Sequence, residues 1–117
     1  MLVLANLAVS ILHFSDNALH FERYPEPKWI TGPHIVAALW VGITGLLALG
    51  WWLAQRGRNW PAIAVLWVYG ALSAFALGHY LYGLPQDLTS DMNALIIAEA
   101  AAAVLLMVLA PRLVLPR

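Results

Sequence analysis

A chain of 117 residues of which 62% are hydrophobic and 10% charged cannot clothe a water-facing surface, where about a quarter of residues ordinarily carry charge. Its length leaves room for about four membrane spans of roughly 20 residues and for no separate water-soluble domain. The formal net charge of zero argues against a nucleic-acid binder, and the lack of cysteine excludes disulfides, thiol catalysis and thiolate metal sites.

The first span is predicted over about residues 2–23. Met1 to Leu12 lacks a basic n-region and a small-residue cleavage site, so it is read as a retained segment rather than a signal peptide. At about 100° per residue, Asn6, Ser10, His13, Asp16, Asn17, His20 and Tyr24 fall within about 120° of one another. The other faces are mostly Leu, Ile, Val, Ala and Phe. Such a helix can cross a bilayer if its polar stripe faces other helices.

The second span, 33–55, is a charge-free run opened by Pro33, a residue suited to a first helical turn. His34 shares a face there with Ala37, Ala38, Val41 and Gly45, which predicts an inward, closely packed surface. The third span, 60–83, follows Asn59, placed to cap it. The fourth, 91–110, begins after Thr89-Ser90-Asp91 and is expected to stop at Pro111. Its one internal charge is Glu99, on a face with Ala102 and Ala103. Residues 1–117 thus read as one all-α, integral membrane four-helix bundle with up-down topology.

Arg56, Arg58, Arg112 and Arg117 fall at the termini and middle loop with no acid, whereas the other two loops carry Arg23 and Lys28 against Glu22, Glu26, Asp87 and Asp91. The positive-inside rule then places both termini in the cytoplasm, with a bacterial inner membrane as the simplest setting. Trp51, Trp52 and Trp60 would anchor the inner interface, and Tyr24, Trp29, Tyr80 and Tyr82 the outer one. In this arrangement His13, His20, His34 and His79 all converge on the outward side, and Glu99 lies about 12 Å below Asp91 along the helix axis.

Polar side chains at membrane depth usually face the interior and mark a ligand, ion or proton site. The expected outward-facing pocket is lined by His13, Asp16, Asn17, His20, His34, His79 and Glu99. Three chemistries suit it. His13, Asp16, His20, His79 and Glu99 could ligate a divalent transition metal, with zinc, iron or copper favoured by imidazole and carboxylate donors, and bis-histidine heme ranking below them. His13 with Asp16, and a neutral Glu99, could perform acid/base chemistry on, or bind, a lipid, sterol or isoprenoid, with Phe14, Trp40, Tyr69 and Tyr80 lining an apolar cavity. Alternatively the polar residues are interhelical glue in an accessory or assembly subunit, whose partner is another membrane protein or a second copy. No serine stands in a recognisable catalytic triad.

Asp16, Tyr24-Pro25 and the four-span layout resemble the sterol-isomerase and sigma-2-receptor type of four-helix membrane protein. The resemblance implies a sterol or lipid ligand. Span two lacks the membrane carboxylate of that type, and no residue role carries over.

Overall fold

The computed structural model describes residues 1–115. Four helices build it: α1 (Leu2–Leu19), α2 (Pro33–Gln55), α3 (Asn59–Ala74) and α4 (Ser90–Val114). A 3₁₀ helix, Phe75–Leu81, continues α3, and two short 3₁₀ turns, Phe21–Arg23 and Pro85–Asp87, lie in the loops. No strand occurs among the described residues. Each of the four spans is long and apolar enough to cross a membrane. The protein is an all-α membrane bundle in which α1 and α3 each pack against both α2 and α4. Its long dimension of 46 Å matches a bilayer with its headgroup regions.

The helix boundaries follow local chemistry. α2 begins at Pro33 and ends at Gln55, as expected. Its turn into α3 needs Gly57, whose φ of 69° is left-handed and unfavourable for a side chain. Asn59 is not the cap: it is the first residue of α3, after Arg58. At α4 the Thr89 hydroxyl accepts the Met92 backbone N–H at 3.2 Å, satisfying one orphan donor of the first turn. α1 stops at Leu19 rather than near 23; a 3₁₀ turn follows at Phe21–Arg23, and Pro25 then holds Tyr24 in the extended region (φ −83°, ψ 131°).

Pro111 does not end α4, which continues to Val114. A proline inside a helix lacks the N–H that would bond the carbonyl four residues earlier. Here that carbonyl, on Met107, accepts a hydrogen bond from Trp67 Nε1 at 2.9 Å. The neighbouring helix replaces the missing donor, so one more turn forms. The same pair of helices approaches closely at Gly70, where a Cβ would lie 2.2 Å from Met107 Cγ.

The inward face of α2 differs from the expected one. His34, Ala37, Ala38, Val41 and Gly45 are exposed, and Val36, Leu47 and Gly50 are buried instead. Larger apolar side chains fill the core better, and Gly50 admits Leu66, whose Cδ2 would be 2.7 Å from a Cβ there. In lipid the outward-facing small residues carry no solvation penalty. Two apolar clusters close the ends of the bundle: Leu47, Leu66, Tyr69, Leu106 and Ala110 near the arginine-bearing end, and Tyr24, Leu88, Met92 and Ile96 near the other. Tyr24 is therefore core rather than interfacial belt. Trp51, Trp52 and Trp60 are exposed at the arginine end, where the Arg56 guanidinium sits 4.9 Å over the Trp52 ring.

Candidate functional site

Between the two apolar clusters lies a polar layer assembled from three helices and a loop. On α1, Asn6, Ser10, His13 and Asn17 recur every three to four residues and are all buried, as a helical stripe requires. Asn6 ties α1 to α4 by donating to the Ala102 carbonyl at 3.1 Å. One step toward the loops, His13 Nδ1 hydrogen-bonds Glu99 Oε2, joining α1 and α4 through two side chains each about 2% exposed.

His79 reaches the same layer from the 3₁₀ helix that follows α3. In a 3₁₀ winding residues three apart eclipse one another. Gly78 accommodates this, since a Cβ there would lie 3.0 Å from the Phe75 ring. His79 Nδ1 donates to the Pro25 carbonyl at 2.9 Å, because a carbonyl can only accept. Its ring stands edge-on to His13, with centroids 5.4 Å apart.

Glu26, read from sequence as a surface acid of the outer loop, turns inward. Asn17 Nδ2 donates to Glu26 Oε1 at 2.7 Å and lies 3.4 Å from His79 Nε2. Glu26 Oε1 also lies 3.6 Å from His79 Nδ1. The flanking prolines hold this strap extended, and Gly83 lets it lie flat: a Cβ there would meet Pro25 Cβ at 2.7 Å. A Pro-Glu-Pro segment between two spans was the only sequence sign of an inward carboxylate.

A cavity of about 250 Å³ opens beside this network. Its polar lining comprises His13, Asn17, Glu26, Ser73, His79 and Glu99, and no Lys or Arg among the described residues lines it. Apolar walls come from Val36, Leu39 and Ile43 on α2 and from Phe14 on α1. Within the lining residues, His13 Nε2, Asn17 Oδ1 and Glu99 Oε1 are buried without a hydrogen-bond partner among the described residues.

The remaining expected residues lie elsewhere. Asp16 and His20 sit on the outer rim, where Asp16 Oδ1 is 3.0 Å from His20 Nδ1 and Asp16 Oδ2 accepts from the Tyr24 hydroxyl at 2.7 Å. Burial and the Asp16 carboxylate push the Tyr24 phenol well above its ordinary value. His34 is exposed and does not line the cavity. Trp40 donates to Ser10 Oγ at 3.4 Å and Tyr80 to Asn93 Oδ1 at 2.7 Å; neither lines the cavity, and nor does Tyr69. Trp29, Phe75 and Tyr82 supply its aromatic lining alongside Phe14.

The proposed ligands His13, Asp16, His20, His79 and Glu99 thus divide between an interior group and a rim pair. No set of three or more His, Asp or Glu side chains is gathered to hold a metal ion among the described residues. Compared with known proteins, the chain matches no family model, no curated protein and no solved structure.

Proposed function

We propose that this protein is a membrane-embedded binder of a small, largely apolar molecule, whose polar end sits against His13, Asn17 and Glu99. The observation that carries this reading is a largely apolar cavity of about 250 Å³ whose lining includes a few polar side chains, among them His13, Asn17 and Glu99. An apolar pocket with a few convergent polar groups is the ordinary form of a small-molecule site. The metal half of the sequence reading has less support, because its five donors do not assemble. The arginines of the opposite end argue that the cavity faces away from the cytoplasm, in a cell membrane.

Mass spectrometry of molecules released from protein purified in lipid nanodiscs tests the reading. Wild type should retain one molecular species in near-stoichiometric amount, and Leu72→Trp, which narrows the cavity mouth at an exposed position, should lose it. No species above empty-disc background, or equal amounts in both proteins, would sink the proposal.

The direct His13–Glu99 contact favours acid/base chemistry as a second reading. A buried imidazole and carboxyl in direct contact beside a cavity are the kinds of group that move protons on apolar substrates. Incubation of the released species with protein in deuterium oxide tests it: deuterium incorporated into a carbon–hydrogen position supports turnover, and its absence leaves a binder.

A further inference from the structure

We infer that the arginine end of the bundle is a surface for anionic phospholipid, on which the guanidinium groups of Arg56, Arg58 and Arg112 take the phosphates of the adjoining leaflet. Arg56 and Arg58 flank Gly57, whose left-handed φ of 69° folds the α2–α3 connection into a tight turn, so two cations project from one corner. Arg112 reaches the same end from the last turn of α4. The register of α3 against α4 is set where Trp67 donates to the Met107 carbonyl and Gly70 faces the Met107 side chain. At about 1.5 Å of rise per residue from that level, Arg58 and Arg112 lie within about 10 Å of each other in depth. One belt of headgroups therefore meets all three.

These cations have no neutralising partner within the fold. All three are exposed, and among the described residues the cationic side of every ion pair is a histidine. Asp16, Glu22, Glu26, Asp87 and Asp91 lie at the opposite end, and Glu99 is engaged by His13 in the interior. The other two basic residues, Arg23 and Lys28, share their loop with Glu22 and Glu26 and make no comparable field. A guanidinium offers five N–H donors in a planar fork that matches the oxygens of a phosphate. Arg56 is already oriented for this. Its Cζ lies 4.9 Å over the Trp52 ring, a stack that uses the face of the guanidinium and leaves its N–H edge free. Trp51, Trp52 and Trp60 are exposed at the same end, and indoles in that position settle among lipid headgroups. A soluble acidic partner would offer those indoles no apolar phase, so arginine combined with exposed tryptophan selects lipid.

Nanodiscs of phosphatidylcholine with phosphatidylglycerol as the minor component supply the test. Lipid that stays on the protein after transfer to mild detergent, read by native mass spectrometry, should be enriched in phosphatidylglycerol about fivefold or more over the disc mixture. Arg56→Gln/Arg58→Gln/Arg112→Gln should return it to the disc composition, while Arg23→Gln/Lys28→Gln at the opposite end should keep the enrichment. Arg56→Lys/Arg58→Lys/Arg112→Lys preserves the charge at the same positions and should keep most of it. No enrichment in wild type, or equal enrichment in the glutamine triple variant, overturns the inference. So does an equal loss on changing Arg23 and Lys28, which would mean that net charge rather than this surface recruits the lipid. Loss in the lysine variant as well as the glutamine variant would mean that the fold rather than the charge is being read, and overturns it too. The cavity plays no part in this inference, so its failure leaves the binding reading untouched.

Discussion

His13 on α1 and Glu99 on α4 stand 86 residues apart in sequence and meet directly in the bundle interior. Neither has another side chain as a hydrogen-bond partner among the described residues, so each is the other's sole compensation for burial. Removing one should be far worse than removing both. His13→Leu and Glu99→Leu, each of which leaves a buried partner unpaired, are expected to lower stability by about 3–5 kcal/mol apiece, while the His13→Leu/Glu99→Leu double variant regains most of that loss. Denaturant unfolding in detergent measures the cycle; additive losses would show that the two groups are not coupled.

Tyr24 provides a pH signature at the rim. Its phenol has an ordinary value of 10.0, and burial together with Asp16 raises it in the folded protein. The folded state thus holds this proton more tightly than the unfolded one. The resulting stabilisation is complete below pH 10 and is lost as pH climbs through the raised folded value. Thermal unfolding of wild type should therefore fall more steeply above about pH 10 than that of Tyr24→Phe. Parallel alkaline slopes in the two proteins would contradict the assignment.

The Trp67 indole compensates for the N–H that Pro111 lacks. Trp67→Phe removes the donor to the Met107 carbonyl and should destabilise the protein by about 1–3 kcal/mol. In a Pro111→Ala background the backbone N–H at 111 serves that carbonyl, and the same Trp67→Phe change should cost under about half as much. An equal loss in both backgrounds would mean that Trp67 acts through packing alone.

Orientation is open to a clean labelling experiment because the chain contains no cysteine. Cysteines placed one at a time at Gln55 and Gln86, both exposed at opposite ends of the bundle, should react with a membrane-impermeant maleimide from opposite sides. Intact cells are expected to label the Gln86 position and spare the Gln55 position. The reverse pattern would turn the cavity mouth toward the cytoplasm while leaving its chemistry unchanged.

Much of this architecture is legible in the sequence because bilayer spans must be long, apolar and helical. The turn of Asn6, Ser10, His13 and Asn17 toward the interior follows from helical spacing, and that of Glu99 from its depth. Periodicity fails where the winding or the environment changes. His20 falls on the same projected stripe but lies past the end of α1, so it leaves the interior. α2 misleads for another reason: in lipid, small and large apolar residues are equally content outside, so composition alone does not tell its packed face from its free one. Glu26 is out of reach of periodicity altogether, since a loop between two prolines determines where it points.

The seven-residue 3₁₀ stretch after α3 has an angular effect. Each residue there advances by about 120° around the axis instead of about 100°, so the four steps from Phe75 to His79 accumulate an extra rotation of about 80°. Rewound as an α-helix, the segment would swing the imidazole away from the Pro25 carbonyl and from Asn17. Gly78 permits the tighter winding by leaving room for the Phe75 ring. A residue with no side chain thereby fixes the compass bearing of the histidine that follows it.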